Sequence, residues 1–118
     1  MISTPEPETA LEALARQLQQ FADARDWGPF HSPKNLASAL IVEAGELLEH
    51  FQWLTEDQSR QLTPEQKQAV AHEMADVLLY LVQLSTVLGI DLMDAARTKM
   101  DLNAQKYPVG HSHKIDAL

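Results

Sequence analysis

The chain has 118 residues, 45% of them hydrophobic, and a formal net charge of −8 from 17 acidic and 9 basic residues. That is the size of one domain, and the acidic balance argues against the basic face by which proteins hold nucleic-acid backbones. With no cysteine, the chain has no disulfide, zinc–thiolate site or thiol nucleophile.

Residues 1–8 read as a flexible, proline-containing lead. They lack the basic-then-apolar pattern of a signal peptide, and no later apolar run approaches the ~20 residues that span a bilayer. The expectation is a cytoplasmic protein without membrane or nucleic-acid polymer partners. Thr9 is placed to cap a first helix over Ala10 to Ala24, with Glu12 completing a capping box. Leu11, Leu14, Leu18 and Phe21 form one apolar stripe along it.

The run Asp26-Trp27-Gly28-Pro29-Phe30-His31-Ser32-Pro33 breaks the helix into a loop. Trp27, Phe30 and His31 are groups that recognise flat ligands, and base–aromatic stacking is worth ~1–3 kcal/mol per base. Trp27 and Phe30 would equally well plug the end of a helix bundle.

Ser32 and Pro33 start a second helix, expected to run to about Trp53. Leu36, Leu40, Leu47 and Phe51 make its apolar face, and Glu43, Glu46 and His50 make a second stripe. Gly45, in mid-helix, costs ~1 kcal/mol relative to Ala; it is either tolerated or makes room for a close neighbour. Residues 54–62 are polar, an exposed loop with scope for one helical turn.

Thr63-Pro64-Glu65-Gln66 is a strong helix start. The third helix runs from Pro64 to about Leu88, where Gly89 stops it. Val70, Met74, Val77, Leu81, Leu84 and Leu88 give its apolar face, widened by Leu78 and Val82. Glu73, Asp76 and Tyr80 form the neighbouring stripe. Asp91 caps a fourth helix from about Leu92 to Tyr107, ended by Pro108. Its Lys99, Asn103 and Lys106 share much of one face, either solvated or turned to a polyphosphate. Residues 9–108 thus make the domain, and 109–118 a polar tail with His111 and His113.

The chemistry lies in two carboxylate pairs. Glu43 with Glu46, and Glu73 with Asp76, are each spaced i,i+3 and so share a helix face. Each pair sits among Leu, Val and Ala, where like charges repel and burial is costly. If the second and third helices are antiparallel neighbours, the pairs face each other and call for a cation. Hard divalent ions take oxygen ligands, and Mg²⁺ combines a few carboxylates with phosphates and water. Two solvated or salt-bridged faces are the plain alternative. No histidine is assigned a catalytic role.

The ordered set is recognisable. Arg25-Asp26-Trp27, Phe30-His31, Asn35-Leu36, Glu43-Ala44-Gly45-Glu46-Leu47, Phe51-Gln52-Trp53, Glu73, Asp76-Val77-Leu78, Tyr80-Leu81 and Lys99-Met100-Asp101-Leu102-Asn103 resemble the MazG-like all-α nucleoside triphosphate pyrophosphohydrolases, in their dCTP pyrophosphatase branch. The resemblance runs from about Leu11 to Pro108. It implies an all-α, four-helix bundle completed by oligomerisation, commonly a tetramer built as a dimer of dimers. It also implies hydrolysis of a nucleoside triphosphate, dCTP or a modified dCTP, to the monophosphate and pyrophosphate with Mg²⁺, for which Mn²⁺ can substitute.

By that resemblance Glu43, Glu46, Glu73 and Asp76 are the metal ligands and catalytic carboxylates, with Glu46 the candidate base. Trp27, Phe30, His31, Trp53 and Tyr80 line the nucleotide pocket. Lys99, Asn103 and Lys106 touch phosphates or a neighbouring subunit. One departure stands out: Leu18 occupies the first-helix position where the eukaryotic dCTP enzymes carry a substrate-contacting histidine. A dUTP or broad-NTP specificity is the nearest rival. A diiron bundle would need Glu-x-x-His pairs, which are absent here. A non-enzymatic helical binding module would leave Trp27, Trp53 and Tyr80 without a shared role.

Overall fold

The computed structural model describes residue 4 and residues 6–110. The rest of the expected lead, and the tail from His111 with His113, lie outside the described residues. Five α-helices and no strand occur among those described. They are α1 Ala10–Ala24, α2 Pro33–Glu49, α3 Glu56–Ser59, α4 Pro64–Leu88 and α5 Leu92–Lys106. Four are the long helices expected, and α3 is the single turn that the polar 54–62 segment had room for.

Local chemistry sets the ends. Thr9 Oγ1 accepts from the Glu12 N–H at 3.1 Å, but the Glu12 carboxylate does not return the bond, so only half of the expected box forms. Thr55 with Gln58 and Thr63 with Gln66 close both halves, which satisfies two orphan N–H groups at each start. Ser32 caps α2 and Asp91 caps α5 through the N–H groups of Asn35 and Asp94.

At the C-terminal ends, Gly89 adopts φ +67° while the Ile90 N–H bonds the Ser85 carbonyl at 2.9 Å, a closure that glycine accommodates without a Cβ penalty. The end of α1 makes the same closure with an aspartate. Asp26 takes φ +55°, and the Trp27 N–H returns to the Ala22 carbonyl at 3.0 Å. Aspartate is one of the few non-glycine residues that visit this region readily. The loop therefore turns at Asp26 rather than at Gly28, which starts a 3₁₀ turn, Gly28–Phe30.

The second helix is shorter than expected, ending at Glu49. Beyond it the bonds tighten: the Phe51 N–H reaches the Leu48 carbonyl and the Leu54 N–H the Phe51 carbonyl, each at 2.9 Å. These three-residue steps turn the chain toward the Thr55 cap and carry Trp53 out of the helix.

Helices α2 and α4 make the principal packing pair, and α1 lies against α4. Helix α5 leaves α4 at 102° and makes little contact with the other helices. Among the described residues the buried apolar side chains are few, namely Ala22, Leu36, Val70 and Val82, and of these Leu36 and Val82 are the most completely enclosed. Of the face expected on α4, Met74, Leu78, Leu81 and Leu88 are exposed, while Val82 is among the most buried residues. No single helix among the described residues is long and apolar enough to cross a membrane.

Candidate active site

The packing of α2 on α4 brings the two carboxylate pairs together. Each of Glu43, Glu73 and Asp76 offers an oxygen within 4.8 Å of the others. Glu46, one turn along α2 from Glu43, is close enough to share a hydrogen bond with it. Glu43 Oε2 and Glu73 Oε2 are buried and lack any hydrogen-bond partner. Such oxygens are costly to desolvate unless a proton or a cation meets them.

The proton solution shows in Glu43, whose pKa is raised from 4.5 to about 7. The largest cause is the hydrogen bond to Glu46, followed by partial burial and the Glu46 charge, then Glu73 and Asp76. Between carboxylates, a hydrogen bond exists only when one of them holds the proton. A divalent cation is the other solution. Three to four carboxylate oxygens, met by no amide, lysine or arginine among the described residues, suit a hard, oxygen-seeking ion, so the residues present fit Mg²⁺ or Mn²⁺.

His50 Nε2 lies 3.9 Å from Glu73 Oε1. The sequence placed His50 on the stripe of Glu43 and Glu46 but gave it no role. With His50, at the C-terminal cap of α2, beside Glu73, in the first half of α4, and Glu43 reaching Asp76, α2 and α4 run antiparallel across the cluster.

The aromatic loop forms a continuous stack on the end of α1. The Arg25 guanidinium sits 3.4 Å from the Phe21 ring centre. Phe21 meets Trp27 edge-on at 5.5 Å, and Trp27 meets His31 edge-on at 6.0 Å. Neither Trp27 nor Phe30 plugs the bundle: they are 40% and 68% exposed. Trp53, beyond α2, is 84% exposed. Tyr80, one turn after Asp76, is half-buried.

The α5 residues are not drawn into this cluster within one chain. No ion pair joins Lys99 or Lys106 to a carboxylate among the described residues, and Lys106 Nζ lies 5.2 Å from the Tyr107 ring centre. Asn103 is exposed on the same helix.

Near the far end of α4 from its capping box is a cavity of about 270 Å³. Leu18, Gln19 and Ala22 of α1, His31 of the loop, and Gln83 and Val87 of α4 line it. Sequence reasoning did not select Gln83. Its signal was its position one turn beyond Tyr80, on the line of Glu73 and Asp76.

Comparison with known proteins gives a consistent set. The MazG-like family model matches residues 39–117. The mouse protein called dCTP pyrophosphatase 1 is 46% identical over 105 residues, covering 87% of this chain and 62% of that protein. The human protein of the same name is 43% identical over 104 residues, covering 86% and 61%. The chain thus spans about three-fifths of the length of these curated relatives. A crystal structure of a pyrophosphatase from Archaeoglobus fulgidus is similar at TM-score 0.82 and 38% identity, over 90% of this chain and 99% of that one.

Proposed function

The chain belongs to the MazG-like family, and from that premise we propose that it hydrolyses a nucleoside triphosphate, dCTP or a modified dCTP, to the monophosphate and pyrophosphate. The observation that carries this reading is the convergence of Glu43, Glu46, Glu73 and Asp76, with two buried carboxylate oxygens that no donor meets. The names of the mouse and human relatives point to the same substrate.

Glu43, Glu73 and Asp76, with Glu46 beside them, would hold Mg²⁺ or Mn²⁺. When bound, the ion neutralises phosphate charge and polarises the phosphorus under attack. Glu46 accepts the proton of the attacking water. Trp27, Phe30, His31, Trp53 and Tyr80 supply aromatic surface for the nucleoside. Lys99, Asn103 and Lys106 meet phosphates from α5 of a neighbouring subunit. Such work clears unwanted nucleotides from a cytoplasmic pool.

Assembly enters this reading because one chain leaves apolar faces open. Ile41, Val42 and Leu48 are 67%, 58% and 61% exposed along α2, with Gly45 on the same side. A Cβ on Gly45 would meet nothing within 4 Å, so no helix among the described residues uses that space. Met74, Leu78 and Leu81 make a second exposed stripe on α4. Stripes of this kind mark interaction surfaces; the proposed occupant is another copy of the chain, in a dimer of dimers.

The test is pyrophosphate release from a panel of dNTPs, NTPs and 5-substituted dCTPs, with and without Mg²⁺. Magnesium-dependent turnover, strongest on dCTP or its 5-substituted forms, is expected. Strongest turnover on dUTP or across many bases would keep the reaction and move the specificity. A folded protein that turns over none of them would overturn the reading.

A further inference from the structure

We propose that the Gln83 carboxamide reads the hydrogen-bonding edge of a pyrimidine base seated in the cavity between α1 and α4. The proposal rests on the pyrophosphohydrolase reading and assigns a specificity residue to it.

Position comes first. Glu73, Asp76, Tyr80 and Gln83 follow one another at i, i+3, i+7 and i+10, a single stripe on α4. Asp76 and Gln83 are two turns apart, ~10.5 Å along the axis. A nucleotide with its phosphates at the carboxylates can extend along this stripe toward the aromatic loop, and Gln83 is where the stripe enters the cavity. At about 270 Å³, the cavity falls below the ~300–1,000 Å³ of sites for larger ligands. It has room for one ring system and not for a whole nucleotide.

Hydrogen bonding then separates Gln83 from its polar neighbours. Gln19 Nε2 donates to Asp23 Oδ1 at 2.9 Å. The Thr86 hydroxyl donates to the Val82 carbonyl at 3.1 Å. Gln83 lines the same cavity half-buried, and its side chain makes no hydrogen bond among the described residues. Its amide is therefore open to the cavity and uncommitted to any described neighbour. A carboxamide presents a donor beside an acceptor, the pairing that the edge of cytosine or uracil presents in return. Leu18, Ala22 and Val87 make the adjoining wall apolar, so an edge left unpaired there is penalised. His31, edge-on to Trp27, supplies a further polar group of the cavity and links it to the aromatic stack.

The experiment compares wild type with Gln83→Met, which keeps length and loses the amide, and Gln83→Asn, which keeps the amide and draws it back by one methylene. KM and kcat are measured on dCTP, dUTP, dTTP, dATP and dGTP, and the Mg²⁺-induced rise in Tm is measured alongside. Gln83→Met should raise KM for the best pyrimidine triphosphate about tenfold or more and flatten the ranking of bases. It should keep the metal-induced Tm rise, and Gln83→Asn should fall between. An unchanged KM and ranking in Gln83→Met would overturn the assignment while leaving the proposed reaction standing. No turnover by wild type would remove the reaction, and this assignment with it.

Discussion

Glu43→Gln should make the metal-free protein more stable and the metal-saturated protein less so. In the cluster, oxygens of Glu43, Glu73 and Asp76 come within 4.8 Å of one another. Coulomb's law at that separation gives roughly 0.9 kcal/mol per pair of charges in water and roughly 3.5 kcal/mol at an effective dielectric of 20. The cluster is partly open to solvent, so the lower figure is the better guide. Removing Glu43 relieves two such pairs and its contact with Glu46, about 2–3 kcal/mol in all. That corresponds to a Tm increase on the order of 5–10 °C.

The pH dependence follows from the Glu43 pKa, raised from 4.5 to about 7. Between these values the native state holds a proton that the unfolded chain has lost. Stability from this group is therefore complete below about 4.5 and declines as pH rises through about 7. The advantage of Gln over wild type should be large at pH 8 and small at pH 5. Metal at a hundredfold excess over Kd stabilises the native state by about 2.7 kcal/mol, which wild type gains and the variant largely forgoes. Thermal unfolding at fixed protein concentration, in chelator and in Mg²⁺, at both pH values, reads all four states. A variant less stable than wild type in chelator at pH 8, or a gap equal at pH 5 and pH 8, would refute the account of the cluster as a repulsive site awaiting a cation.

Two further outcomes follow from packing. Leu36, 1% exposed, is one of the few wholly buried side chains, and Leu36→Ala should cost ~2–5 kcal/mol in urea unfolding; a cost under about 1 kcal/mol would mean that α2 is not anchored there. Ile41→Asp, at a position 67% exposed in the single chain, should leave helix content unchanged by circular dichroism and shift the mass by light scattering to a smaller species. An unchanged mass would remove the α2 stripe from the assembly interface.

The helices were legible because their ends carry local chemistry. Thr63, Pro64, Gln66 and Gly89 each act within four residues of themselves, and sequence spacing conveys such interactions directly. The end of α2 was not legible, because residues 50–54 contain no glycine or proline and tighten only through their own bonds. The left-handed Asp26 was hidden by the more obvious Gly28 beside it. On α4, periodicity identified an apolar face but not its occupant: Met74 and Leu78 have the spacing of a core and the exposure of a surface. Spacing counts apolar residues on a face, and it is silent on whether the same chain or another covers them. The carboxylate pairs were legible since i,i+3 spacing on two helices needs only one further fact, that the helices are neighbours. Gln83 was not, because an amide on a helix is common and its meaning depends on the cavity that α1 and the loop build over it.

The placement of the carboxylates also ties the site to the fold. Helices α2 and α4 are the principal packing pair of the chain, and the repulsion among Glu43, Glu46, Glu73 and Asp76 acts across that same contact. With so few residues fully buried, a repulsion of a few kcal/mol is a large fraction of what a domain of this size has to spare. Two sources can offset it: a cation between the helices, and a second chain covering Ile41, Val42 and Leu48. A cation acts inside the repulsive contact, whereas a second copy acts on the apolar stripe of the same helix. Metal binding and assembly then draw on one shared element, α2, and each should strengthen the other, because Glu43 and Glu46 lie on the same turns of that helix as Val42 and Leu48.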